Sequence, residues 1–214
     1  MMLILCGAAL AQEFKAPPSD SPVKIEADTL AYDQVRDVYS AHGNVVITYG
    51  AGVLTADQVE YDRKTNLATA QGGAFLRMAE DSLQGDKMVV NVEYKTGIAY
   101  NSKAFYSRNH FYIRGEKIEK TGENTYVIEQ PRATTCDGES PDWQLMGSKM
   151  KVTVEGYGWV THARLLTKGI PVFYTPVIAF PAKTKRQTGF LLPYLAYSKN
   201  KDGVDVEIPF FWAI

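Results

Sequence analysis

The sequence predicts an all-β protein, and three observations carry that expectation. Thirteen Tyr, nine Phe and three Trp stand among many Val, Ile and Thr, residue types that fit a pleated, half-buried surface. Seventeen Gly and ten Pro supply the turns. A unit of roughly thirty residues recurs along the chain, built of short alternating runs. At 214 residues, 45% hydrophobic and 22% charged, the composition is that of folded protein and leaves room for one large or two small domains. The formal net charge of −1 creates no field that would draw nucleic acid or an anionic membrane to the whole molecule. Any such contact requires a local patch, and nucleic acid is not expected as a partner.

The first element is a leader. Residues 1–11 hold a short apolar run ending in Ala9-Leu10-Ala11, the small-residue pattern of a signal-peptidase site. They are expected to form a signal peptide, with its basic region missing because Lys15 is the first positive charge. Cys6 follows Leu5, too large for a lipobox, and is expected to leave with the leader. Cys136 then becomes the one cysteine of an exported chain, either a free thiol or half of a bridge whose partner lies elsewhere, and the bridge is favoured. No later stretch approaches the apolar length of a membrane helix, so entry into a membrane would be as strands.

The repeat follows. It reads Ile25 to Asp33, Leu54 to Asp62, Leu83 to Asn91 and, more loosely, Ile113 to Thr121, with acids at 28, 57, 86 and 116. A weaker copy begins at Gly147. Within each unit the apolar positions change parity at the acid, as Leu30 and Tyr32 do after Asp28. A strand cannot exchange its inner face that way without a bend or bulge, which places each acid at a surface corner. Second strands with Gly-centred turns come next, around Gly43 and around Gly72-Gly73. Stacked units would form a rolled, jellyroll-like domain over residues 22–165, whose apolar faces meet in a long seam. The seam serves as a core if it closes and as a groove for an apolar ligand if it opens.

Enzyme chemistry has no signature. His42, His110 and His162 lie far apart with no Cys or acid at ligand spacing, so no metal is expected. No nucleophile elbow, phosphate loop or dinucleotide fingerprint is present; Gly156-Tyr157-Gly158-Trp159 stops short of the last. Neither catalysis nor a cofactor is expected.

From Thr134 the sequence becomes specific. Thr134-Thr135-Cys136-Asp137 is followed by Pro141-Asp142-Trp143-Gln144-Leu145, Gly169-Ile170-Pro171-Val172-Phe173-Tyr174-Thr175-Pro176 and Lys185-Arg186-Gln187-Thr188-Gly189-Phe190-Leu191-Leu192-Pro193. The chain ends Ile208-Pro209-Phe210-Phe211-Trp212-Ala213-Ile214. This order resembles the LptD family of lipopolysaccharide-assembly outer-membrane proteins, also called OstA or Imp. The units before it resemble the OstA-type domain shared with periplasmic bridge proteins of that pathway. The resemblance covers nearly all of residues 22–214.

The resemblance implies a periplasmic β-jellyroll that receives lipopolysaccharide from an LptA-like bridge protein. It implies also an outer-membrane barrel, plugged by an LptE-like lipoprotein, that releases the lipid to the outer leaflet. Exposing an acyl chain to water costs roughly 0.8 kcal/mol per methylene, so about twelve carbons face a barrier on the order of 10 kcal/mol. A continuous apolar groove removes it. Candidates for its walls are Ile25, Ala27, Val45, Ile47, Leu54, Val59, Met88, Val90, Ile113 and Ile118, each of which would equally suit a plain core. The family's disulfide clamp falls on Cys136, whose partner would lie in the barrel. Residues 166–214 read as linker and barrel start, with one hairpin around residues 199–203; a barrel needs eight strands or more to close, so this reads as the front part of a longer protein. Pro193 and Pro209 in its strands are expected to weaken a lateral gate, since proline brings no N–H to a ladder. Lys183, Lys185 and Arg186 are candidates for contact with lipid phosphates. The rival readings are a soluble bridge protein of the same pathway and a β-solenoid surface protein.

Overall fold

The computed structural model describes residues 23–182, 189–190, 194–198, 203–207 and 210–211. One antiparallel sheet of fourteen strands takes up nearly all of the first span. Strands β1 (Lys24–Glu26) and β2 (Thr29–Asp33) both pair with β3 (Val38–Tyr49). There follow β4 (Gly52–Asp62), β5 (Leu67–Met78), β6 (Asp81–Asn91), β7 (Thr96–Tyr106) and β8 (Phe111–Lys120), each antiparallel to its predecessor. Then come β9 (Thr125–Glu129), β10 (Arg132–Thr134), β11 (Trp143–Met146), β12 (Lys149–Thr153), β13 (Tyr157–Thr167) and β14 (Ile170–Pro181).

The strand order is a plain meander despite these breaks. Glu129 of β9 faces Lys117 and Arg132 of β10 faces Arg114 in one unbroken register, so β9 and β10 are two halves of one strand interrupted at Gln130-Pro131. Strands β11 and β12 are likewise halves, with Met146 opposite Arg164 and Lys149 opposite Thr161. The sheet extends beyond the boundary expected at residue 165, which falls inside β13. Strand β14 continues the ladder because its Ile178 and Phe180 pack on the same interior as the strands before it. Further on, Gly189–Phe190 pairs with Phe210–Phe211, and Tyr194–Ser198 pairs with Gly203–Glu207.

Every strand bends along one line. On alternate strands the line is marked by left-handed residues: Gly43 and Asn44 in β3, Gly72 and Gly73 in β5, Asn101 in β7, Gln130 between β9 and β10, and His162 in β13. On the strands between, it is marked by oxygen-bearing side chains: Asp28, Asp57, Asp86, Glu116 and Ser148. Extra residues enter β3 and β5 here, as register shifts between His42 and Val45 and between Gln71 and Ala74. Such bulges bend a strand and exchange its inner face. The acids hold the left-handed residues: the Asn44 side-chain amide donates to Asp28 at 3.0 Å, and that of Asn101 to Asp86 at 2.8 Å. At Glu116 the pairing stays one-for-one and the bend is carried by Asn101 alone.

Leu30 and Tyr32 differ from expectation. They are exposed, because β2 is the edge of the sheet and no further strand covers it among the described residues. Tyr32 stacks instead on Tyr39 with ring centres 4.4 Å apart and donates to Asp37 at 2.8 Å.

The bend line is directly testable at two adjacent glycines. A methyl on Gly72 would overlap the Asp57 carboxylate, whereas one on Gly73 meets nothing within 4 Å, although both have positive φ. Gly73→Ala should lose about 1 kcal/mol from the left-handed backbone alone, and Gly72→Ala at least another ~1 kcal/mol from the clash. Urea unfolding of the two variants measures the difference; equal losses would show that Asp57 does not cap the bulge.

Candidate functional site

Because each strand changes face at the bend, the sheet presents two rows of inward side chains, one from each half. The first row runs by direct cross-strand pairing through Ala41, Val59, Ala70, Met88, Ala99, Ile118, Ile128, Met150, Val160 and Ile178. All but Ile178 are buried. The second runs through Ile25, Ile47, Leu54, Leu76, Leu83, Ala104, Ile113, Ala133, Leu145, Leu165 and Phe173. At the ~4.8 Å spacing of neighbouring strands each row is roughly 40–50 Å long. No polar or charged residue interrupts either row. The two rows pack into two clusters, and Leu83 touches both, so the apolar seam is continuous from β3 to β14.

The expected groove residues divide accordingly. Val45, Val59 and Met88 lie in the first cluster, with Ala27, Ile47 and Leu54 packed against it. Ile118 lies in the second, with Ile113 against it. Ile25 and Val90 join neither: Ile25, 43% exposed, stands on the edge strand, and Val90, 37% exposed, near the end of β6. Sequence reasoning missed the alanines Ala41, Ala56, Ala70, Ala74, Ala99, Ala133 and Ala163, all buried. Their signal was present, since Ala41, Ala70 and Ala99 recur at the spacing of the acids. Small residues in one row opposite larger ones let the two halves approach closely.

A second feature ties the cysteine loop to the sheet. Thr134 Oγ1 donates to the Trp143 carbonyl at 2.7 Å and accepts the Cys136 N–H at 3.1 Å, while the Trp143 indole donates to Thr135 at 3.2 Å. Asp137 accepts the Tyr112 hydroxyl at 2.7 Å and lies 3.0 Å from His110 Nε2. The Tyr112 hydrogen bond, followed by that of His110, holds the Asp137 carboxyl below its ordinary range. Cys136 itself is a partly buried free thiol. Pro193, Pro209, Lys183, Lys185 and Arg186 lie outside the described residues.

Fold and seam together define a class, an antiparallel β-domain bent around one long apolar strip. A family model described as LptA/(LptD N-terminal domain) LPS transport protein matches residues 24–156, and the chain belongs to that family. Among curated relatives, the LPS-assembly protein LptD of Saccharophagus degradans is 31% identical over 95% of this chain and 24% of its own length. That of Nitrosomonas eutropha is 29% identical over 95% of this chain and 28% of its own. That of Nitrosococcus oceani is 31% identical over 98% of this chain and 29% of its own. The chain thus spans about a quarter of the length of the curated relatives it matches. The crystal structure of LptH, the LptA-homologous periplasmic component of the lipopolysaccharide transport device of Pseudomonas aeruginosa, aligns at TM-score 0.40 and 23% identity. That alignment covers 46% of this chain and 75% of LptH.

Two measurements check this geometry. Met88→Ala removes a fully buried side chain at the middle of the first row and should destabilise the domain by about 2–4 kcal/mol in chemical denaturation. A loss under ~1 kcal/mol would place Met88 outside the packed seam. For the loop, a depressed carboxyl adds stability above the ordinary carboxylate range and loses it as pH falls through the lowered value. Carbon-detected NMR titration should therefore find Asp137 titrating low, with the midpoint moving up in Tyr112→Phe. An unmoved midpoint would mean that Tyr112 does not hold the loop.

Proposed function

We propose that this domain carries the acyl chains of lipopolysaccharide along its interior seam, as the periplasmic part of a protein that delivers the lipid to the outer leaflet of the outer membrane. The observation that carries the reading is the pair of apolar rows, unbroken across the sheet. An acyl chain lying along them would keep its methylenes from water at every step, which removes the barrier to crossing an aqueous gap. The described strands are read as a jellyroll built from repeated strand pairs, and residues 166–214 as linker and the beginning of a barrel, with the ladder running on through β14 into that segment.

The partners follow from the open edge of the sheet and from the cysteine loop. At the open edge, β1 and β2 leave one side of their backbone free of a further strand among the described residues, and Val23, Ile25, Leu30 and Val35 are exposed beside it. Such an edge suits strand addition by an LptA-like bridge protein. In the loop between β10 and β11, Cys136 would form a disulfide with the remainder of the protein, and an LptE-like lipoprotein would fill the barrel. The lateral gate at Pro193 and Pro209 and the phosphate contacts of Lys183, Lys185 and Arg186 remain part of the same proposal.

Photo-crosslinking in the complete protein tests the central claim. A benzophenone amino acid at Leu83 or Ile113 should capture lipopolysaccharide in growing cells, while the same group at exposed Glu60 should not. Capture at Glu60 alone would place the lipid outside the seam and reject the reading. Mass spectrometry of the complete protein without reductant tests the clamp, and a free Cys136 thiol there would remove it.

A further inference from the structure

The outward side of the half-sheet that carries the second row has an unusual charge pattern. Arg77 of β5, Lys103 of β7, Arg114 of β8, Arg132 of β10 and Arg164 of β13 are all exposed there, each next in sequence to an inward residue. Lys103 stands directly opposite Arg114, and Arg114 directly opposite Arg132. Like charges in that relation repel. No carboxylate lies within 4 Å of any of the five among the described residues. The outward strand positions around them, such as Ser82, Gln84 and Gln144, are neutral.

Two acids stand near this cluster, but neither comes within 4 Å of its cations among the described residues. Asp86 and Glu116 share with Lys103, Arg114 and Arg132 a shallow concavity of about 450 Å³ at the bend. The Asp86 carboxylate accepts from Asn101, and Asp137 is held by Tyr112 and His110. The outward side of the other half-sheet is balanced, with Lys117 bridging Glu119 and Glu129. A chain of net charge −1 has therefore gathered, on one side of one half, five cations without an ion-pair partner among the described residues, of which Lys103 lies over the Tyr112 ring at 5.7 Å.

We infer that this cationic face docks on the surface of a bilayer containing anionic phospholipid. Phosphate groups would relieve the Lys103–Arg114–Arg132 repulsion and supply counter-charges at hydrogen-bonding distance. Charge alone would equally suit any polyanion, but the same face ends at β14 in Val172, 44% exposed, and in Tyr174, 55% exposed with one side of its ring stacked on His162. Apolar and aromatic side chains beside cations match the headgroup boundary of a membrane, whereas a soluble polyanion makes no use of them. This inference stands apart from transport through the seam, because it concerns the opposite side of the sheet.

Co-sedimentation of the full 214-residue chain with liposomes tests it. Binding to phosphatidylcholine vesicles containing phosphatidylglycerol should exceed binding to pure phosphatidylcholine and weaken with salt. Neutralising Lys103→Gln, Arg114→Gln and Arg132→Gln together should reduce that excess by on the order of a hundredfold, near fivefold per cation. The melting temperature should hold or rise, since repulsion is removed. The matched triple Lys87→Gln, Lys149→Gln and Lys151→Gln, on the other half-sheet, should bind as the parent does. Arg114→Lys with Arg132→Lys should also keep binding. Equal losses in both triples, an excess insensitive to phosphatidylglycerol, or tighter binding of an oligonucleotide than of the anionic vesicles would each overturn the inference.

Discussion

Everything in this domain depends on making each strand exchange its inner face at one line. An extended chain sends alternate side chains to opposite sides, so a long flat strand would bury the same parity throughout. Here the strands are up to twelve residues long, and a flat sheet of that width would leave one apolar face open to water. Left-handed residues on every second strand and oxygen-bearing side chains on those between solve the problem together. Glycine or asparagine accepts the backbone conformation at little strain, and the neighbouring carboxylate occupies the space that a side chain would otherwise fill.

The seam is the product of that line. Once both halves turn their apolar positions inward, the rows from Ala41 to Ile178 and from Ile47 to Leu145 lie on one interior, and Leu83 joins what would otherwise be two cores. Alanines make up seven of the buried hydrophobic positions, small enough for larger side chains to pack beside them. The outer surfaces are then free to differ in charge, because neither contributes to the interior: one half pairs Lys117 with Glu119 and Glu129, while on the other five cations have no carboxylate within 4 Å among the described residues.

Much of this was legible before any coordinates. The parity change at Asp28, Asp57 and Asp86 predicts a bend on elementary grounds, and register shifts or a strand break stand at or beside those acids. Most of the expected wall residues fall in or against the interior because large apolar side chains at inward parity have nowhere else to go. Ile25, Leu30, Tyr32 and Val90 do not follow, since parity says which side a residue faces and nothing about whether anything covers it. Edge strands and strand ends leave inward residues wet. The buried alanines escaped notice for the complementary reason: a methyl group carries too little hydrophobic signal to mark a core by itself.

Local sequence thus determined the strands, their bends and the parity of each face, because these depend on backbone preference and two-residue periodicity. The run from Thr134 to Trp143 likewise carried its own signature, and its side chains tie the cysteine loop locally. Only the tertiary structure decided that β9 with β10 and β11 with β12 are single interrupted strands, that the ladder continues through Pro181, and that Lys103, Arg114 and Arg132 stand side by side. Those facts depend on register between segments well separated in sequence. Register is settled by the summed fit of the whole sheet, to which no single stretch of chain has access.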